Sequence, residues 1–588
     1  MTYLEKLSAI REQMKQSGLD AYMIHSADPH MSEYLPAHYR CLEFACGFTG
    51  SAGVVVITHD FAGLWTDSRY FSQAEEQLEG SGYELVKLKI PHTPEYIQWL
   101  NPEYKVACNY SLLSVTLSEL FSKHKIDIRH ADFLSPIWEN RPALPDAPAF
   151  LLQEKYSGLS AKTKLAEVRL ALRKLGATAH IISSMDDIAW LLNIRGSDVK
   201  CNPVVLSFVL ILPDHTYLFI NSSKLDHGAV ESLTAAGITL CPYEDIDSYI
   251  KALQTSEVLF IDPKRTCTRL FREVPETVRV QLGINPSTHL KSVKNHTEIA
   301  NFRQAMVRDG VAMTRFVKWL KENVGLEQIT ELSASKKLAA FRAGQDEFAG
   351  VSFDSIAGYK EHAALPHYTP NAETDTVLKE EGMFLIDSGG QYFLGTTDIT
   401  RMVVLGPLTE EEKTDYTLVL RGVIEGSSAV FPAGTCGYQL DGIIRKPLWD
   451  HGRNYGHGTG HGVGYFLNVH EGPQSISPDN LPIPFLPGMV TSIEPGIYRP
   501  GKHGVRIENL VLAVSAGNTQ FGDFLTFETI TLALIDTAGI DISLLEQRHI
   551  NWLNNYHDHL IKQLNPHLTT EELSWLIRNT RLPLPSPY

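Results

Sequence analysis

Apolar positions recur at helical spacing through the first residues, MTYLEKLSAIREQMKQ, and a second amphipathic pattern opens at Lys162. Between them Pro136, Pro142, Pro145 and Pro148 interrupt any regular element, which places a domain boundary near residue 155. The two segments echo each other at one constant offset: Arg11 and Arg169, Gly18 and Gly176, Ala21 and Ala179, Ile24 and Ile182, Ser26 and Ser184, Asp28 and Asp186. Each reads as helix, glycine cap and strand, so duplication of a whole α/β domain is expected rather than a solenoid. Continuous apolar runs at 53–58, 204–212 and 258–261 have strand length and alternate with helical stretches, the pattern of a layered α/β domain. A further boundary falls near Asn295, where Thr297 is a suitable N-cap for a helix over 298–321 carrying Ile299, Phe302, Met306, Val311, Met313, Phe316, Val317 and Leu320. Beyond it, strands of antiparallel character (383–387, 397–404, 490–493, 505–514) are separated by helical stretches such as 410–430, an α+β mixture. WLNNYHDHLIKQL and EELSWLIRN add two short amphipathic helices at the C-terminal end.

Two strand pairs carry acidic residues among apolar ones. Folding FLIDSGGQYFLGTTDITRMVV about Tyr392 and Phe393 sets Asp387 opposite Asp398, and the turn at Pro500 and Gly501 sets Glu494 opposite Glu508. Directly opposed carboxylates repel unless a cation lies between them, and acidic residues are poor strand formers. One such pair is compatible with a solvated face. Two make a cation site the stronger reading.

Between the hairpins lies NYGHGTGHGVGYFLNVHEGP. The spacing of His457 and His461 matches helical zinc motifs, but alternating glycines are costly in a helix, so an extended segment is expected. There the two rings share a face roughly 13 Å apart, so one is expected to be a ligand and the other a substrate contact. The glycine face admits close backbone neighbours. Four carboxylates and an imidazole form a hard, oxygen-rich set suited to two divalent ions such as manganese, whose charge they balance. Paired ions of this kind activate a shared water and polarise a carbonyl, as amide hydrolysis requires.

Composition narrows the partners. The chain has 588 residues, 43% of them apolar, and a net charge of −16, which argues for several folded domains and against nucleic acid as a partner. Seven cysteines show no CxxC spacing and read as reduced core thiols. Neither a secretion signal nor a membrane-length apolar run is present, so a cytoplasmic location without a membrane partner is expected.

FACGFTGSAGVVVI, WTDSRYF, DDIAWLLNIRGSDVKCNPV, HGTGHGVGYFLNVHEGP and the acidic hairpins together resemble the aminopeptidase P group of the pita-bread metallopeptidases, in its long, three-domain cytosolic form. The resemblance covers essentially the whole chain. It implies two related creatinase-like α/β domains (1–155 and 156–295) and a pita-bread α+β catalytic domain with a helical C-terminal extension (296–588). It further implies two Mn2+ held by Asp387, Asp398, His461, Glu494 and Glu508, with Asp398 and Glu508 bridging. Substrate-site histidines fall on His367, His457 and His470, Arg506 and Tyr498 match further residues near the metals, and Glu494 doubles as proton shuttle. The implied enzyme is a homodimer that releases the N-terminal residue of Xaa-Pro peptides by attack of a hydroxide bridging the two ions. An Xaa-Pro dipeptidase shares the ligand set and is the alternative enzyme; a non-catalytic peptide-binding protein on the same fold would have lost a ligand, and none is lost here. Tyr455 and the GYKEHAALPHY loop depart from the family pattern and bear on the first substrate residue.

Overall fold

The computed structural model describes residues 1–89 and 93–582 and divides into two compact units, Met1–His289 and Leu290–Tyr588.

The first unit contains two six-stranded mixed sheets. One runs in the order Glu84–Lys87, Ala62–Thr66, Val54–Thr58, Ala21–His25, Lys105–Cys108, Asp127–His130. The other runs Ile238–Cys241, Thr216–Ile220, Ser207–Ile211, Ala179–Ile182, Val258–Ile261, Arg279–Leu282. Both follow one scheme. The first three strands of each copy pair antiparallel, and the outer pairs are parallel. The helices preceding the central strands, Tyr3–Gln16 and Ala161–Leu175, are capped by Thr2 and Ser160. The echo in sequence is therefore an echo in topology. Central strands such as Ala21–His25 are buried along their whole length, as expected where both faces are covered.

In the second unit the long helix is His296–Asn323. Its N-cap is Asn295, not Thr297: the Asn295 side chain accepts from Glu298 N at 3.0 Å and Glu298 returns to Asn295 N, a capping box that Thr297, two residues later and already inside the helix, cannot form. All sheets of this unit are antiparallel. The one carrying most of the site is Val430–Pro432, Gly522–Thr529, Asn509–Thr519, Val490–Ile493, Gly460–Gly462, Glu471–Ile476. A second joins Ile356–Tyr359, Met383–Ser388 and Ile399–Val404. The helix expected over 410–430 ends at Ser427, because Val430–Pro432 leaves to pair with Gly522–Thr529. A core of Met383, Leu385, Met402, Leu420, Val423, Val505 and Ile507 backs the sheets. The C-terminal helices Gln547–Leu564 and Thr570–Asn579 pack on this unit, with Leu553 and Tyr556 in the same core. All seven cysteines are thiols and six are buried; Cys201, half-buried, is not a core thiol.

Candidate metal centre

The register of the second hairpin places Glu494 across from Glu508: Ser492 pairs with Leu510 and Ile493 with Asn509 on one side, Gly496 with Arg506 on the other. The ladder is broken between these pairs, so the strand expected over 505–514 is really two, His503–Arg506 and Asn509–Thr519, with Glu508 in the break. There the main chain turns to other partners. Glu494 N donates to Thr459 O at 2.7 Å and Glu508 N to Thr400 O at 3.1 Å, joining the hairpin to both other ligand-bearing segments.

The first hairpin differs from expectation. Tyr392 pairs with Gly395, so the turn is Phe393–Leu394, one residue later than composition suggests. Asp387 consequently stands opposite Thr400, and Asp398 lies just before the strand Ile399–Val404. Two contacts fix this turn from outside: Phe393 N donates to Glu347 O at 2.9 Å and Tyr465 Oη donates to Phe393 O at 3.1 Å. The two aspartates remain close enough for the Asp387 carboxylate to raise the proton affinity of Asp398.

His461 sits on the short strand Gly460–Gly462. A Cβ at Gly460 would stand 1.8 Å from Ser492 O, so glycine is what lets the strand Val490–Ile493 lie against it. His461 Nε2 is 3.5 Å from Asp398 Oδ2 and 3.4 Å from Glu494 Oε1. Ligand atoms of Asp398, His461 and Glu508 all lie within 4.8 Å of one another. Ser492 and Thr400, which sequence reasoning did not single out, brace these ligands. Ser492 Oγ accepts from His461 N at 2.9 Å and donates to Glu494 Oε1 at 3.3 Å, while Thr400 Oγ1 donates to Glu508 Oε2 at 2.8 Å. Ser492 stands two residues before Glu494 and Thr400 two residues after Asp398 in extended backbone, and that alternation was the available signal.

Around this cluster, buried Arg506 donates to Asp387 Oδ2 at 2.7 Å and to Tyr498 Oη at 2.8 Å. Tyr498 Oη lies 2.8 Å from His457 Nε2, and burial pushes its phenol up to about 12. His457 is held from behind by Arg445, which donates to its carbonyl at 2.7 Å. His470 meets His461 edge to face at 4.3 Å between ring centres. His367 lies in the half-buried turn closed by Tyr368 N donating to Leu365 O.

The electrostatics call for cations. Burial foremost, then the carboxylates of Glu508, Asp387 and Glu494, hold Asp398 well above the usual carboxylate range. Burial and the charges of Glu494 and Asp387 do the same to Glu508. Asp387 Oδ1 and Glu508 Oε1 are buried without a hydrogen-bond partner, although unpaired buried oxygens of this kind are costly. Oxygen-rich donors with unsatisfied lone pairs fit hard divalent ions. With both carboxyls raised, these two groups bind more protons in the folded metal-free chain than in the unfolded one above the ordinary carboxylate range near ~4, so their contribution to its stability falls as pH rises past that range. A divalent ion replaces those protons, so the rise in melting temperature on adding Mn2+ should grow as pH rises. Scanning fluorimetry with and without Mn2+ checks this, and a gain that does not change with pH would contradict it.

Comparison with known proteins matches the described architecture. Residues 300–515 fit the model of metallopeptidase family M24 and residues 523–582 that of its C-terminal region. Residues 6–141 and 140–298 each fit a creatinase/prolidase N-terminal domain. The chain is 38% identical to a probable Xaa-Pro aminopeptidase P of Laccaria bicolor, over 98% of this chain and 92% of that protein. It is likewise 38% identical to Xaa-Pro aminopeptidase 2 of Sus scrofa, over 98% and 88%. The crystal structure of an X-prolyl aminopeptidase from Caenorhabditis elegans, described as a cytosolic enzyme with a di-nuclear active site, superposes with a TM-score of 0.94 at 32% identity, covering 99% of this chain and 100% of that one. Two creatinase-type α/β domains are thus followed by the pita-bread α+β domain, and the chain belongs to metallopeptidase family M24, in its aminopeptidase P group.

Proposed function

We propose that this protein is a manganese-dependent Xaa-Pro aminopeptidase, removing an N-terminal residue when proline follows it. The observation that carries the reading is the convergence of His461 and Glu494 with buried Asp387, Asp398 and Glu508, where Asp387 Oδ1 and Glu508 Oε1 have no hydrogen-bond partner. It is supported by full-length similarity to proteins named for that activity. Asp387, Asp398, His461, Glu494 and Glu508 would hold two divalent ions, which when bound acidify a shared water and polarise the scissile carbonyl.

The chain's own residues supply the rest. Glu494, whose side chain keeps 18% exposure, is the carboxylate open to the substrate side; it takes the proton of the attacking water and delivers it to the prolyl nitrogen. Arg506 neutralises Asp387 and, through Tyr498, fixes the ring of His457. His470 donates a hydrogen bond to charge developing around the scissile bond, His457 joins it once its Nδ1 turns from Gly458 O, 2.7 Å away, and His367 with His470 borders the proline ring. A cytosolic location and a homodimer accompany this reading; sedimentation at the mass of a single chain would overturn the dimer.

The nearest rival, an Xaa-Pro dipeptidase, spends binding energy on a carboxylate directly after proline, and lengthening the peptide would leave its clamp unpaired. We expect Arg-Pro-Pro to be cleaved after Arg at least as well as Arg-Pro, and Arg-Ala-Pro to be cleaved poorly. Cleavage confined to dipeptides would favour the rival, and indifference to the second residue would end the claim of proline specificity.

A further inference from the structure

Helix Glu331–Ala343 begins with a carboxylate that is completely buried. A buried carboxylate is sustainable only when its lone pairs are filled. Glu331 Oε1 accepts from Tyr359 N at 2.7 Å, both oxygens accept from His362 Nδ1 at 3.0 Å, and Oε2 accepts from Tyr368 Oη at 2.9 Å and Thr376 N at 3.3 Å. Its bond to Glu331 raises the proton affinity of His362, which favours the charged, stronger form of this contact.

All these donors come from one stretch, 359–376. The stretch leaves the strand Ile356–Tyr359, in which Ile356 pairs with Asp387. Its next turn, Lys360–Ala364, lies against the strand that carries Arg506: a Cβ at Gly504 would stand 1.8 Å from Ala363 O, a contact only glycine permits. Tyr368, whose ring centre is 4.4 Å from that of His362, follows His367 directly. Glu331 is thus tied to the chain both before and after His367, while the turn Lys360–Ala364 rests on the hairpin of Tyr498 and Arg506.

We infer that Glu331 is a positioning residue for substrate binding, holding the 359–376 loop so that His367 is fixed against the proline side of the peptide. This rests on the reading of His367 as a substrate contact. Glu331 touches no metal ligand in its hydrogen bonds, so it acts on affinity for peptide and not on the ions or the bond-breaking step.

The test compares Glu331→Gln and Tyr368→Phe, each alone and combined with His367→Ala, in the manganese-loaded full chain with Arg-Pro-Pro as substrate. Tyr368→Phe removes one hydroxyl and carries the test if Glu331→Gln folds poorly. Each variant alone should raise KM about tenfold with kcat within about twofold and metal content unchanged; in the His367→Ala background neither should raise KM further by more than about twofold. A support that is merely structural would lower the melting temperature and leave KM alone, which overturns the proposal. So does an equal rise in KM with and without His367, or a loss of metal. An unchanged KM for His367→Ala by itself removes the substrate role of His367 and the proposal with it, whereas failure of the unaltered protein to cleave Arg-Pro-Pro strikes the functional reading.

Discussion

Glu508→Ala should lower kcat/KM by at least about a thousandfold, a loss of ~4 kcal/mol in transition-state stabilisation, and should leave fewer than two ions bound after manganese loading. The size follows from what the side chain does. Glu508 is buried, takes a hydrogen bond from Thr400 on one oxygen and has the other turned to the cluster without a partner. On the proposed assignment its removal would take away one of five ligands and leave Asp387, Asp398, His461 and Glu494 to hold the ions. Asp398→Ala should behave alike. Cys46→Ser and Cys436→Ser, which alter thiols outside the cluster, should spare turnover. Metal analysis beside steady-state kinetics decides it, and near-normal turnover by Glu508→Ala would refute the assignment.

The second large effect separates two histidines four residues apart. His461→Ala should lose metal, because its Nε2 stands within 3.5 Å of both Asp398 and Glu494. His457→Ala should instead keep both ions and lose about a hundredfold to a thousandfold in kcat, the usual cost of deleting one donor to developing charge. Since His457 bonds Tyr498, Tyr498→Phe should reproduce part of that loss, and the double variant should fall short of the sum. Metal lost from His457→Ala and retained by His461→Ala would reverse the two roles.

The acidic hairpins were legible because a charged residue inside an apolar strand contradicts its surroundings, and contradictions of this kind point to function. Where composition also marked the turn, at Pro500–Gly501, the facing pair Glu494 and Glu508 followed directly. Where it did not, at Phe393–Leu394, the turn is chosen by partners distant in sequence, Glu347 and Tyr465, and a shift of one residue moved the partner of Asp387 by two. Asn295 shows the opposite case. Its capping box was written in NHTE and was missed because Thr297 lay nearer to the apolar run. Glu331 carried no local signal at all, since its four partners lie 28 to 45 residues away.

The gap in the Glu494–Glu508 ladder bears on how such a centre is inherited. Pro495 occupies that gap, a place where the missing N–H of proline costs nothing. The segments bearing His461 and Asp398 are fastened to the gap by main-chain bonds from Glu494 and Glu508, so the frame is indifferent to most neighbouring side chains. The sequence around these joints can therefore vary widely without moving the side chains of the cluster. Length is another matter: one residue inserted between Ile493 and Glu494 would turn Glu494 to the opposite face, so natural variation here should substitute residues and never add them.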